Sequence, residues 1–111
     1  MRNLRNSVQL IGRLGKDPEA KTLTSGKAMT TFSIATTDSY KNADGEKVED
    51  TQWHNIVTWG RKAEIAAEYL KKGQEVAVEG KLVHRNFETS GGEKRYITEI
   101  NVNELVMMGK K

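Results

Sequence analysis

The sequence contains no cysteine, one proline and no long apolar run. Without cysteine there is no disulfide framework, no thiolate metal site and no thiol nucleophile. No window approaches the roughly 18 consecutive apolar residues of a membrane-spanning helix. The first residues lead into a strand-like run and not into the apolar core of a targeting signal. We therefore expect a cytoplasmic protein.

Aromatic residues are also scarce, at 6% of the 111 residues, whereas charged residues make up 30%. This length and composition predict one soluble domain with a small core. The net charge is only +3, but it is unevenly distributed, because residues 38–52 carry three more acidic than basic side chains and the flanking segments are basic. A polyanionic partner is compatible with this balance but is not required by it.

Alternation of apolar and polar side chains predicts five strands. They cover residues 7–14, 28–37, 51–60, 75–87 and 96–106, with a short extended piece at 19–23. Residues 38–50 are polar and form a connection with a hairpin tip at Asp44-Gly45. Residues 61–72 have the spacing of a helix. Its apolar stripe consists of Ile65, Ala66, Tyr69 and Leu70.

Two single glycines, Gly12 and Gly80, interrupt the first and fourth strands. Glycines inside strands are typical of small, sharply coiled barrels. One helix between strands three and four of a five-stranded Greek-key barrel is the layout of an OB-fold. The sequence therefore predicts an all-β OB-fold domain over residues 1–106, followed by a short remnant at 107–111.

The candidate catalytic groups do not form a recognisable constellation. His54 and His84 lie on different predicted strands, and neither has a second histidine at the spacing of a metal site. No serine has the context of a nucleophile elbow, and the carboxylates are scattered over polar faces. We expect no enzymatic activity, no metal and no cofactor.

Both tryptophans lie on the third predicted strand. Trp53 and Trp59 are six residues apart and point to the same face, while His54 and Ile56 point to the other. Two indoles on one strand face are either core residues or an exposed surface on which bases stack. Val57 shares the tryptophan face, so polarity alone leaves both interpretations open.

Other aromatic and basic side chains follow in the same part of the chain. Tyr40 lies in the polar connection and Phe87 at the end of the fourth strand. Aromatic faces that stack with bases, together with Lys and Arg that contact phosphates, are typical of single-stranded nucleic acid binding. The candidate phosphate contacts are Arg5, Lys41, Arg61, Lys62, Lys72, Lys81, Arg85 and Arg95.

Four sequence blocks resemble the bacterial single-stranded DNA-binding protein (SSB) family. They are residues 12–19 (GRLGKDPE), 53–60 (WHNIVTWG), 66–73 (AAEYLKKG) and 78–82 (VEGKL). The resemblance extends from about Arg5 to Leu105 without large gaps. It implies a homotetramer of OB-folds that binds and protects single-stranded DNA in replication, recombination and repair, in a nucleoid-associated cytoplasmic location.

The resemblance also implies base stacking on Trp53 and Trp59, and a packing or subunit-contact role for His54. Tyr40 and Phe87 stand where the family often has tryptophan, and Trp59 stands where it often has phenylalanine. Each of these exchanges retains an aromatic face. Three of the candidate phosphate contacts match positions that are usually basic in the family, namely Arg61, Lys72 and Arg85.

Two departures from the family pattern concern phosphate contacts and partners. Ser7 and Asn86 are neutral where the family is often basic, so we expect weaker phosphate contact there. The sequence ends at Lys111 without the family's polar linker and acidic tip, so recruitment of replication and repair proteins is an open expectation. Two alternatives are an OB-fold protein-interaction module and an RNA-binding accessory module.

Overall fold

The structure is a computed structural model that describes residues 4–108. It has six strands and one helix, and the predicted five strands correspond to all of the strands except the short β2. The elements are β1 (Val8–Leu14), β2 (Glu19–Thr22), β3 (Ala28–Lys41), β4 (Lys47–Trp59), α1 (Gly60–Tyr69), β5 (Glu75–Glu88) and β6 (Lys94–Met107). Within the described residues, no helix is long and apolar enough to cross a membrane.

Five of the strands close into a barrel. Their hydrogen-bonded order is β1-β5-β6-β4-β3, and β3 pairs back onto β1 at Arg13↔Ala35 and Leu14↔Ile34. β2 pairs with the first residues of β3, on the same edge of β3 that pairs with β1 farther along the strand. The helix lies between β4 and β5, which are the third and fourth strands of the barrel. The predicted OB-fold architecture is therefore confirmed.

The core consists of the inward-facing residues of the barrel strands and one side of the helix. Ile34, Ile56 and Val76 are completely buried in it. Two threonine hydroxyls are bonded in this core: Thr30 of β3 donates to the Ala63 carbonyl of the helix at 2.7 Å, and Thr58 of β4 donates to the Thr30 carbonyl at 2.8 Å. These bonds satisfy polar groups that would otherwise be costly to bury.

The glycines inside β1 and β5 permit close packing of neighbouring strands. A Cβ on Gly12 would lie 2.5 Å from the Ala35 carbonyl oxygen, and one on Gly80 would overlap the Asn101 carbonyl. A bulge between Glu79 and Gly80 interrupts the β5–β6 ladder at the same point. The predicted role of these glycines in coiling the barrel agrees with this geometry.

The helix is shorter than predicted. It ends at Tyr69, and Leu70 is already extended, so Lys71 and Lys72 lie beyond the last turn. The chain turns there through a backbone hydrogen bond from the Gln74 N–H to the Lys71 carbonyl at 3.1 Å, with Gly73 at φ 87°. The Lys72 N–H bonds to the Asp17 carboxylate at 2.9 Å. The predicted apolar stripe is wrong in part, since Tyr69 is exposed and Ala63 takes a place in the core.

The segment predicted as a polar connection is mostly strand. β3 and β4 remain paired as far as Lys41↔Lys47, which leaves a loop of residues 42–46 around the predicted Asp44-Gly45 tip. Both faces of this extension are exposed, so it lacks the apolar alternation that marks a half-buried strand. The radius of gyration, 16.1 Å, exceeds the about 13 Å of a compact chain of this length because two hairpins project from the barrel.

Candidate nucleic-acid interface

Two hairpin arms leave the barrel side by side. β4 and β6 pair in parallel only from Asn55↔Glu99 to Val57↔Asn101. Because the two strands are parallel, the residues that precede this pairing project in the same direction. We call residues 36–54 the β3–β4 arm and residues 82–98 the β5–β6 arm. The predicted aromatic positions Tyr40, Trp53 and Phe87 all lie on these arms.

The strand register assigns each side chain to one of two sheet faces. Paired residues point to the same face, and alternate residues of a strand share it. The face of Trp53, Asn55, Val57 and Trp59 therefore continues across the β4–β6 pairing onto β5 and β6. We call it the tryptophan face. On β5 and β6 it includes Lys81, Arg85, Phe87, Arg95, Glu99 and Asn101.

Trp53 is an exposed aromatic surface and not a core residue. It is 60% exposed, and its benzo ring lies over Gly15, where a Cβ would be 2.5 Å from Cζ3. Gly15 is in turn held to β3, since its N–H donates to the Ser33 carbonyl at 3.2 Å. Of the two interpretations left open by the sequence, the structure therefore favours the exposed surface for this indole.

Trp59 is more enclosed than Trp53. It is half-buried, its Nε1–H donates to the Asn101 side chain at 3.2 Å, and the Lys27 ammonium lies 5.2 Å from the ring centroid. Trp59 is also six residues from Trp53, or about 20 Å along the strand. The two indoles therefore cannot contact the same base, and Trp59 offers less free surface for stacking.

Phe87 and Tyr40 are exposed on opposite faces. Phe87 is 45% exposed on the tryptophan face, near the tip of the β5–β6 arm. Tyr40 is 56% exposed and pairs with Val48. Its register places it with His54 on the other face, which lines the barrel core. The four predicted stacking residues therefore do not form one continuous surface.

The predicted cations on the tryptophan face include an ion pair. Arg85 donates to both carboxylate oxygens of Glu99 at 2.9 Å. The hydrogen bond and the charge of Glu99, which is buried, raise the pKa of Arg85 above its usual value. Arg95 pairs with the exposed Glu93 at 3.0 Å. Lys81 is exposed on the same face.

The remaining predicted phosphate contacts are distributed around this face. Lys41 lies near the tip of the β3–β4 arm, and Arg61 and Lys62 lie at the start of α1 beside Trp59. Lys72 is exposed and its backbone bonds to Asp17, two residues from Gly15. Arg5 is exposed ahead of β1, next to Asn6, which bonds to the backbone of Leu82 at the base of the β5–β6 arm.

Sequence reasoning missed several residues that complete the site. Arg13 pairs with Ala35, which in turn pairs with Trp53, so this arginine lies on the tryptophan face. Motif spacing gives no signal for such neighbours, because they come together only through strand pairing. The others are Gly15 beneath Trp53, Lys27 and Asn101 around Trp59, and Glu99 beside Arg85.

His54 makes a contact within its own chain. Its Nε2 lies 2.9 Å from the Thr36 hydroxyl, and the ring is half-buried. The predicted subunit contact for this residue stays a prediction. Among the described residues, no group of three or more histidine and acidic side chains could hold a metal ion.

The profile of the Single-strand binding protein family matches residues 5–108. The chain belongs to this family. Its members are binding proteins and not enzymes, in agreement with the prediction that this chain is not an enzyme. The resemblance carried by the four sequence blocks is thereby confirmed.

Relatives and a solved structure agree with the assignment. Single-stranded DNA-binding protein 1 of Xylella fastidiosa (strain 9a5c) is 49% identical over 96% of this chain and 79% of its own length. Single-stranded DNA-binding protein 1 of Chlorobaculum tepidum is 43% identical, over 96% of this chain and 66% of its own. The structure of a Plasmodium falciparum SSB complex with ssDNA superposes with a TM-score of 0.87 at 32% identity, covering 98% of both chains.

The chain is shorter than most of these relatives. It is 43% identical to the single-stranded DNA-binding protein of Neisseria meningitidis serogroup A. The match covers 94% of this chain and 60% of that relative. The similarity therefore covers only part of the length of these relatives.

Proposed function

We propose that this chain binds single-stranded DNA without sequence preference. The observation that carries the proposal is Trp53, an exposed indole held against Gly15 on the same sheet face as Phe87 and several cations. Stacking of a base on an aromatic side chain contributes about 1–3 kcal/mol in OB-fold proteins of this kind. Membership of the family, and the likeness to a structure solved as a complex with ssDNA, support the same function.

Phosphates are held by the basic side chains along and around the tryptophan face. Arg95 accompanies Phe87 on the β5–β6 arm, and Lys81 lies at the base of this arm on the same face. Arg85 is bound by Glu99, so it reaches a phosphate only when this ion pair opens. Lys72 bonds through its backbone to Asp17, two residues from Gly15. Each neutralised phosphate releases counterions, so affinity falls with salt. Tyr40 stacks a further base from the opposite face of the β3–β4 arm, and Trp59 contributes at the far end of β4.

The chain acts as a homotetramer in the cytoplasm, where it protects single strands during replication, recombination and repair. An apolar surface supports self-association: Ile11 is 55% exposed and Val106 57% exposed, and both line a shallow cavity with Ala77. Exposed apolar patches of this kind mark protein contacts. Replication and repair proteins are the expected further partners.

Binding is tested with fluorescently labelled oligo-dT, whose anisotropy is followed during titration with the protein at several salt concentrations. We expect tight binding at low salt and a linear loss of log affinity with log salt concentration. Unlabelled oligo-rU is added as a competitor, because stronger competition by rU than by dT would favour the RNA-binding alternative. Absence of binding at low salt would favour the protein-interaction module.

A further inference from the structure

The most exposed aromatic side chain of the described residues has no role in the site so far. Tyr96 is 77% exposed, compared with 60% for Trp53. It lies on β6 in the β5–β6 arm and pairs with Asn86. Its neighbour Arg95 pairs with Phe87. Because adjacent residues of a strand point to opposite faces, Tyr96 and Phe87 present aromatic rings on the two sides of one arm.

Tyr96 borders a small cavity of about 220 Å³ that is also lined by Asn86, Phe87, Glu88 and Lys94. Glu88 and Lys94 occupy opposite positions of the β5–β6 ladder, so the cavity is lined by one charge of each sign and carries no net charge. A neutral planar group suits this environment better than a phosphate does. The side-chain amide of Asn86 offers both a donor and an acceptor to the edge of such a group.

We propose that Tyr96 and Asn86 form a further nucleobase site on the side of the β5–β6 arm that faces away from Phe87. A base stacks on the Tyr96 ring and hydrogen-bonds to the Asn86 amide. The strand reaches this site by crossing the arm from Phe87, past the exposed Arg95. This inference rests on the proposed function, because it assigns additional residues to the same bound strand.

The test compares Tyr96→Ala with Tyr96→Phe and with Tyr69→Ala. Tyr69 is a suitable control, since it is 53% exposed and lies at the end of α1, outside the β5–β6 arm. Tyr96→Ala weakens binding of a long oligo-dT roughly 5- to 150-fold, whereas the other two variants bind like the wild type. The salt dependence is unchanged, because no charge is removed.

A direct readout uses Tyr96→Trp in a background of Trp53→Phe and Trp59→Phe, so that position 96 holds the single indole. Oligo-dT quenches this fluorescence if a base stacks there. Unquenched fluorescence with bound DNA overturns the inference, as does wild-type affinity in Tyr96→Ala. A change of mass by light scattering in Tyr96→Ala, with unchanged affinity per subunit, also overturns it and indicates a subunit contact.

The same experiments separate this inference from the proposed function. If Trp53→Ala weakens binding and Tyr96→Ala does not, only the Tyr96 site is wrong. If the wild-type protein does not bind oligo-dT at low salt, both the proposed function and the Tyr96 site are wrong.

Discussion

Gly15 and Trp53 are in a contact that only glycine permits. A Cβ at position 15 would lie 2.5 Å from Cζ3 and 2.7 Å from Cη2 of the indole. Gly15 lies in the bend directly after β1, and Trp53 lies in β4. The backbone at Gly15 therefore supports one part of the ring while the rest stays exposed. An aromatic surface held in this way loses less conformational entropy when a base stacks on it.

The first prediction concerns Gly15→Ala. The added methyl group displaces the Trp53 ring, and single-stranded DNA binding weakens by up to the about 1–3 kcal/mol of one stacking contact. The fold is retained, because φ of Gly15 lies outside the left-handed region and alanine stiffens the unfolded chain. Anisotropy titration with oligo-dT measures the affinity and thermal unfolding measures the stability.

Gly91→Ala is the matched control for this variant. Its φ is also not positive, and the nearest atom to an added Cβ is the Thr89 hydroxyl at 3.9 Å. It should bind like the wild type. Equal affinities of Gly15→Ala and Gly91→Ala would show that Gly15 does not position the indole.

The second prediction separates the two tryptophans. Trp53→Ala lowers affinity by about 1–3 kcal/mol and leaves the unfolding temperature nearly unchanged, because the ring is mostly exposed. Trp59→Ala removes the contacts with Lys27 and Asn101. The free energy of unfolding therefore falls by a substantial part of the about 3–5 kcal/mol that is lost when a fully buried aromatic residue is truncated. Thermal unfolding and titration of both variants check this, and a reversed order of stabilities would contradict it.

The third prediction concerns the Arg85–Glu99 pair. Glu99→Gln removes a negative charge from the tryptophan face and makes Arg85 available to a phosphate. We expect tighter binding at low salt. We also expect a slope of log affinity against log salt that is steeper by about 0.7, the value for one more phosphate contact on a single strand. Titrations at four or more salt concentrations measure the slope.

Glu19→Gln is the control for this charge change, since Glu19 is exposed on β2 and its register through Thr31 and Val57 places it on the tryptophan face. It removes the same charge without releasing an arginine. An equal slope in the two variants would mean that the effect is one of net charge and not of Arg85.

The fourth prediction concerns self-association. Ile11→Glu places a third carboxylate beside Glu79 and Glu104 in the surface that Ile11 forms with Ala77 and Val106, so the particle mass measured by light scattering falls. Leu23→Glu, at a partly exposed position after β2, leaves the mass unchanged. A monomeric wild-type protein would refute the tetramer without affecting the assignment of the stacking residues.

The barrel could be predicted from the sequence because its strands alternate in polarity. The helix found among the described residues also lies between the third and fourth barrel strands, as in an OB-fold. The shared face of Trp53 and Trp59 also followed from alternation. The face to which Tyr40 points could not be predicted, because it depends on the register of the β3–β4 ladder. A shift of this register by one residue would move every side chain to the other face. The polar sequence of this arm contains no signal that fixes the register.

The neighbours of the two indoles could not be predicted for a different reason. Gly15 contacts Trp53, and Lys27 and Asn101 contact Trp59, across long stretches of the chain. Strand pairing alone brings these residues together. The same holds for the Arg85–Glu99 pair, whose members lie diagonally across the β5–β6 ladder, since Arg85 is opposite Ile97 and Glu99 is opposite Val83.

The fluorescence of the Trp59→Phe variant during titration with oligo-dT is the most direct test of the central claim, because Trp53 is then the only indole. We expect strong quenching at low salt, as bases stack on Trp53, and recovery of the fluorescence as salt dissociates the complex. Fluorescence that does not change on addition of oligo-dT, or quenching that salt does not reverse, would contradict this claim.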